Sequence, residues 1–145
     1  MKSNWPRSLN FKLIADGKAA SNVLVYFILI STNKNNFTIG PMLTNNAGLV
    51  ELTKDIMIKS IETHKQNYPM DYVDTLDSCI GIEILVESIC ELEKRINRLI
   101  EYYPQKATKL QNLVVNSSNI KFKGVSIAYK LPINNDQIIL ELELA

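Results

Sequence analysis

The side chains in this sequence that could carry out chemistry gather in one short stretch. His64 is the only histidine, and Asp71, Asp74 and Asp77 follow it at intervals of three residues. On a helix, residues three apart share a face, so these carboxylates could bind a hard cation or work as an acid/base pair. No glycine-bearing calcium-loop pattern surrounds them, so the favoured interpretation is an ordinary solvated face with Asp71 as a cap.

Other reactive centres would have to be assembled from very few residues. A nucleophile–histidine site would need His64, which falls on the apolar face of a segment that resembles a helix. A zinc site made of His64, Cys79 and Cys90 would have spacings of 15 and 11 residues, which match no known ligand spacing. The glycine-rich phosphate loops, the nucleophile elbow and the paired-histidine metalloprotease helix are all missing from the sequence. We therefore expect no catalytic residue, no metal and no cofactor.

Tyrosines flank the acidic stretch and recur later in the chain. Tyr68 and Tyr72 precede and interrupt it, and Tyr102 and Tyr103 follow a long amphipathic segment. They could form a recognition surface, or they could cover the core with their hydroxyl groups outward, and the second interpretation is favoured. The candidate surface that the sequence offers for function is His64, Tyr68, Asp71, Tyr72, Asp74 and Asp77.

Composition and charge predict one soluble globular domain over residues 1–145. Apolar residues make up 46% and charged residues 21% of the chain, and the net charge is +1. A nucleic-acid binder needs a basic face, but here Lys94, Arg95 and Arg98 alternate with glutamates, as in a solvated helix with pairs such as Glu91–Arg95. We expect no nucleic-acid partner.

The sequence also carries no sign of export or of membrane insertion. The first residues lack the apolar core of a signal peptide, and the longest apolar run, Val23 to Ile30, is far shorter than the roughly 20 residues that span a bilayer. Cys79 and Cys90 lie in apolar surroundings, which favours buried thiols over a disulfide. The expected location is the cytoplasm, with no membrane partner.

Alternation of apolar and polar residues predicts about seven strands. Residues 22–31 are apolar at nearly every position, which is typical of a strand buried on both faces. The segment 37–43 contains Gly40-Pro41 and is therefore expected at an edge or a bulge. The last two strands are joined by a short polar segment that favours a hairpin. The predicted strands are residues 9–15, 22–31, 37–43, 49–52, 79–86, 120–129 and 137–144.

Helical periodicity predicts two or three amphipathic helices between the fourth strand and the last pair of strands. Residues 89–103 form the clearest stripe, and a second stripe runs from Pro104 to about Val115. Residues 54–66 fit a helix capped by Thr53, but their alternation also permits a strand, so both alternatives stay open. The chain is thus predicted to be α+β and β-rich: a mostly antiparallel β-sandwich at 9–53 and 120–144, with a mainly helical insert at 54–116 that holds one strand near 79–86. The later strands are expected to form the second layer over residues 23–30.

The opening third of the chain resembles the prealbumin-like β-sandwich modules, the group of transthyretin and the carboxypeptidase regulatory-like domains. The matching features are the turn at Gly17, the strand Asn22-Val23-Leu24-Val25, and Thr44-Asn45-Asn46-Ala47-Gly48 before Leu49-Val50-Glu51-Leu52. The resemblance covers about residues 9–53 and implies a binding or adhesive scaffold. The hydrolase branch of the group uses several histidines and ends in Tyr-Arg-Gly-Ser, whereas this chain has one histidine and ends in Glu-Leu-Glu-Leu-Ala.

Three functions remain open from the sequence. The first is a non-enzymatic protein-interaction or accessory domain of a bacterial intracellular system, either an immunity-type protein or a cassette component, whose partner is another protein. The second is a small-ligand binder or hydrolase-like enzyme that uses the segment from Tyr68 to Asp77 together with His64. The third is a homo-oligomer whose helices pair across a two-fold axis.

Overall fold

The computed structural model describes residues 8–32, 36–67, 79–115, 117, 121–131 and 137–144. Within these residues the chain forms eight strands and three helices, and the β-rich α+β class is therefore confirmed. The elements in chain order are β1 (Ser8–Ala15), β2 (Lys18–Ala19), β3 (Leu24–Ser31), β4 (Phe37–Leu43), β5 (Leu49–Thr53), α1 (Lys54–Asn67), β6 (Cys79–Val86), α2 (Ile89–Tyr102), α3 (Pro104–Val115), β7 (Val125–Lys130) and β8 (Gln137–Leu142).

The first sheet is built around β1. On one edge, β1 pairs antiparallel with two strands in succession. Its first part, Ser8 to Lys12, pairs with β5, and its end, Ile14 and Ala15, pairs with the two-residue β2. On the other edge, β1 pairs with β8 in parallel, from Asn10 opposite Gln137 to Ala15 opposite Leu142. The apolar positions that alternate along β1 face the core, as predicted. Leu9, Phe11 and Leu13 are all fully buried on this inner face.

The second sheet has the strand order β4-β3-β6-β7 and is antiparallel throughout. It packs face to face against the first sheet, and the rings of Phe11 and Phe27 meet between the two sheets at a centroid distance of 5.3 Å. The edge position predicted for β4 is confirmed, and its pairing with β3 is irregular between Val25 and Phe27, close to Gly40-Pro41.

Helices cover the beginning of the outer face of β3. Leu24 lies in a second apolar cluster with Leu92 and Ile96 of α2 and with Ala107 and Leu110 of α3. The two helices are joined through the single residue 103 and contact each other, so residues 89–115 are called the helical hairpin from here on. A helix layer, rather than another sheet, therefore buries Leu24, whereas Ile28 and Ile30 on the same face stay partly exposed.

Residues 54–66 are helical, which decides between the two alternatives. The side-chain oxygen of Thr53 accepts a hydrogen bond from the Ile56 backbone N–H at 3.1 Å, as a helix cap does. Met57 and Ile61, one turn apart, are buried in the core between the sheets. Helix α1 contacts β4 and β5, which come from different sheets, and it thereby closes that side of the sandwich.

Two expectations about the order of the strands are wrong. The opening strands do not form one layer, because β1, β2 and β5 belong to the first sheet and β3 and β4 to the second. The last two strands do not form a hairpin either: β7 pairs with β6 in the second sheet, whereas β8 pairs with β1 in the first. The segments next to β7 and β8 meet at an isolated bridge between Phe122 and Leu144, and an ion pair joins Lys123 to Glu143 there. Alternation shows which side of a strand is buried but not which sheet buries it.

Candidate functional site

His64 lies on the face of α1 that looks toward β4. Met57 and Ile61 anchor the helix in the core. Ser60 and His64 therefore lie on the adjacent side of the helix, which faces the edge of the second sheet. The imidazole ring meets the ring of Phe37 edge-on, with centroids 5.3 Å apart and an angle of 78° between the rings. The apolar face predicted for His64 therefore exists, and its aromatic neighbour comes from β4.

An open groove lies between α1 and β4 beside these two rings. Its volume is about 410 Å³. The walls combine one cationic side chain, three hydroxyl groups, the Phe37 ring and the His64 imidazole, and no carboxylate is among the described residues that line the groove. These residues are Phe37, Thr38, Ile39, Gly40, Lys59, Ser60, Thr63 and His64. We call this feature the α1–β4 groove. The groove is open to solvent along its length, and its volume falls within the range of small-molecule sites, which starts at about 300 Å³.

The rest of the candidate surface lies outside the described residues. This holds for Tyr68, Asp71, Tyr72, Asp74 and Asp77 alike. Whether the three carboxylates share a face, and whether they approach His64, therefore stays a prediction. Among the residues that the structure describes, no group of three or more histidine, cysteine or acidic side chains is arranged to hold a metal ion.

A polar cluster that the sequence did not reveal connects the helical hairpin to the second sheet. The Nη2 atom of Arg95 donates one hydrogen bond to the Tyr26 hydroxyl and another to Glu87 Oε1 at 2.8 Å. The guanidinium carbon of Arg95 is 5.2 Å from the centroid of the Tyr26 ring. These contacts replace the expected ion pair of Arg95 with Glu91. Glu91 pairs with Lys94 instead, and the distance from Lys94 Nζ to Glu91 Oε1 is 3.5 Å.

Burial controls the protonation of the tyrosine in this cluster. Tyr26 is only 5% exposed, and the loss of water raises the pKa of its hydroxyl above the usual value, while the Arg95 guanidinium opposes that rise. The hydroxyl therefore stays neutral at physiological pH and serves as a hydrogen-bond acceptor for Arg95. The cluster joins Arg95 of α2 to Tyr26 of β3 and to Glu87, and this geometry indicates attachment of α2 to the sheet.

Among the residues that the structure describes, the most exposed aromatic side chains lie where the two helices of the hairpin meet. Tyr102 is 76% exposed, Tyr103 is 63% exposed, and Ile100 beside them is 44% exposed. We call these three residues the hairpin tip. The interpretation that Tyr102 and Tyr103 cover the core is therefore wrong. Helical periodicity could not separate the two interpretations, because a tyrosine at the end of an apolar stripe can point inward or outward.

Hydrogen bonds stabilise the helical hairpin at both ends of α2. Ser88 caps α2 by accepting a hydrogen bond from the Glu91 backbone N–H at 3.3 Å. The Tyr103 N–H donates to the Leu99 carbonyl oxygen at 2.7 Å, and the Tyr103 carbonyl oxygen accepts from Ala107 N–H at 3.0 Å. Backbone hydrogen bonds thus tie the connecting residue to both helices, so the tip is held in a fixed position.

The two cysteines have different environments. Both are free thiols, as expected, and Cys79 is buried in the core between the sheets. Cys90 is exposed near the start of α2, so the expectation of a buried thiol is wrong at this position. The apolar residues next to Cys90 in sequence belong to the inner stripe of α2, while Cys90 itself is on the other side of the helix.

Comparison with known proteins gave no match, either among protein-family models or among curated proteins. In the described part of the chain, every helix is too short or too polar to cross a bilayer.

Proposed function

We propose that this chain is a non-enzymatic protein-interaction or accessory domain of a bacterial intracellular system, of the immunity type or as a component of a cassette. The observation that carries the proposal is the hairpin tip. Three large side chains, two of them tyrosines, are exposed within four consecutive positions at one end of the helical hairpin. Tyrosine is enriched in protein interfaces and among the residues that dominate binding energy.

The way the tip is attached supports this role. The helices behind it are fixed to the sheet by the apolar cluster around Leu24 and by the contacts of Arg95 with Tyr26 and Glu87. A rigid surface loses little conformational entropy when a partner binds. The β-sandwich then serves as the scaffold, in the manner that the resemblance of residues 9–53 to prealbumin-like modules implies.

Co-purification with the products of neighbouring genes tests the proposal directly. A tagged chain should retain one of these proteins, and the double substitution Tyr102→Ser/Tyr103→Ser should weaken the complex at least about tenfold, because each buried interface tyrosine contributes on the order of 1–2 kcal/mol. The affinity is measured by calorimetry with the purified pair.

Ile139→Ser is the matched control, because Ile139 is 59% exposed on β8 and is also a large side chain on the surface. It should leave the affinity unchanged. The proposal fails if no neighbouring gene product binds, or if the tyrosine variant binds its partner as tightly as the unaltered chain does.

The small-ligand or hydrolase-like alternative depends on the segment from Tyr68 to Asp77 and stays a prediction. Alanine substitution of His64, Asp71 and Asp74 tests it. Loss of a ligand-induced melting shift in a folded triple variant would favour this alternative, and the lack of any ligand response in the unaltered chain would exclude it.

A further inference from the structure

The α1–β4 groove has a chemical character that its lining residues define. Lys59 brings one positive charge, and none of the lining residues is acidic. The nearby acidic residues of α1, Asp55 and Glu62, are exposed and do not line the groove. Within the described part of the chain, the lining of the groove therefore presents positive rather than negative charge to a ligand.

The hydroxyl groups of the groove differ in what they can offer. Ser60 Oγ donates its proton to the Ile56 carbonyl oxygen at 2.8 Å, so it presents only lone pairs to the groove. Thr38 on β4 and Thr63 on α1 also line the groove, and their hydroxyl groups can donate to an oxygen atom from two opposite walls. Together with the Lys59 ammonium group, these donors suit a group with several acceptor oxygens.

The apolar part of the groove is flat. Phe37 is half-buried and packs against the core, and the edge-on contact with His64 fixes the two rings relative to each other. The groove has a volume of about 410 Å³, which is more than an inorganic anion fills and close to the lower end of the range for small organic ligands. A ligand that matches both parts has an oxyanion attached to a small flat body.

We propose that the α1–β4 groove binds a small organic oxyanion, a phosphate monoester or a carboxylate on a flat apolar body. The Lys59 ammonium group and the hydroxyls of Thr38 and Thr63 hold the oxyanion, and Phe37 contacts the flat body. This site is independent of the hairpin tip, which is formed by other elements.

Calorimetry at low ionic strength with four probes tests the ligand class. Phenyl phosphate or benzoate should bind in a saturable manner, about tenfold tighter than inorganic phosphate, because the ring removes apolar surface from water. Phenol, which has the ring without the charge, should not bind measurably. The stronger of the two charged aromatic probes tells whether the natural ligand is a phosphate or a carboxylate. The proposal is overturned if neither of them binds, or if phenol binds as tightly as they do.

Two variants test the location of the site. Lys59→Ala should weaken binding about tenfold, since it removes a charge-assisted hydrogen bond. Lys65→Ala removes the same charge from the same helix at an exposed position that does not line the groove, and it should leave the affinity unchanged. Equal losses in the two variants would mean non-specific attraction and would overturn the proposal.

Thr38→Val provides a second test from the opposite wall of the groove. Valine keeps the shape and strand propensity of threonine at this exposed position of β4, so the fold is retained. Binding should weaken severalfold because one hydroxyl donor is lost. Unchanged affinity in both Thr38→Val and Lys59→Ala would place any bound anion elsewhere and would refute the assignment.

Discussion

The hydroxyl group of Thr44 connects two segments that are far apart in the sequence. It donates to the Ala20 carbonyl oxygen at 2.6 Å and accepts from the Val23 backbone N–H at 3.0 Å. Backbone hydrogen bonds join Thr44 to Asn22 and Val23 as well, and the side chain is only 1% exposed. Buried polar groups that lose their partners are costly, so this residue should matter far more than its size suggests.

Thr44→Val tests that role. The substitution keeps the shape of the side chain but leaves the Ala20 carbonyl oxygen and the Val23 N–H without this partner in a buried site, so the free energy of unfolding should fall by about 2–4 kcal/mol. Urea unfolding followed by circular dichroism measures the loss. Thr44→Ser retains the hydroxyl group and should lose much less. Equal losses in the two variants would show that the methyl group, not the hydroxyl group, is important.

Asn45 and Gly48, which follow Thr44 in the same motif, also have structural roles. The side-chain oxygen of Asn45 accepts from the backbone N–H groups of Ala47 and Leu49 at 2.9 and 3.0 Å, which shapes the turn. Gly48 has a positive φ of 75°, and a side chain there would collide with the Leu13 carbonyl oxygen. Asn45 and Gly48 therefore maintain the turn that leads into β5.

At the scale of elements, the sequence predicted where most helices and strands begin and end, but it predicted few of the elements that pair or pack together. The strand at 79–86 and the helix that starts after Ser88 agree with the structure, because local periodicity and capping determine them. The last two strands were placed together because a short polar segment joins them, although the real partners of β7 and β8 are far away in sequence. Long-range pairing depends on the whole core, which no local pattern records.

The candidate site shows the same limit. A single histidine on a helical stripe was visible in the sequence, but its neighbour Phe37 belongs to a strand at the other side of the α1–β4 groove. Likewise, the sequence predicted that Arg95 pairs with Glu91 on its own helix, whereas its actual partners are Tyr26 from β3 and Glu87 before the helix. Contacts between elements follow from tertiary packing and could not be read from spacing.

The attachment of α2 to the sheet can be measured by a double-mutant cycle between Tyr26→Phe and Arg95→Ala. Tyr26→Phe removes the hydroxyl group but keeps the ring, so the cycle reports the hydrogen bond, whose coupling in this partly buried setting should be on the order of 1 kcal/mol. Glu91 and Lys94 form the control pair, since both side chains are more than half exposed and the coupling should be too small to measure. Similar coupling in both cycles would contradict a specific role of the cluster.

At the scale of the whole molecule, the apolar interior is divided into two unequal clusters. The larger one lies between the two sheets and includes residues of α1 as well, such as Met57. The smaller one consists of Leu24 on the outer face of β3 and four residues of the helical hairpin, namely Leu92, Ile96, Ala107 and Leu110. Because β3 is the only element that contributes buried side chains to both clusters in the described residues, the hairpin depends on the sandwich more than the sandwich depends on the hairpin.

This division predicts that the helical hairpin opens before the sandwich unfolds. Opening the hairpin exposes the smaller cluster and breaks the contacts of Arg95, which costs less free energy than separating the two sheets. Native-state hydrogen exchange in low urea should therefore show lower protection for the amides of α2 and α3 than for those of β3 and β6. Leu110→Ala should lower hairpin protection by about 2–4 kcal/mol, since it creates a cavity in the smaller cluster. The same substitution should change the protection of β6 much less. If the amides of α2, α3 and β6 all exchange with the same free energy, the chain unfolds as one unit and the division has no energetic meaning.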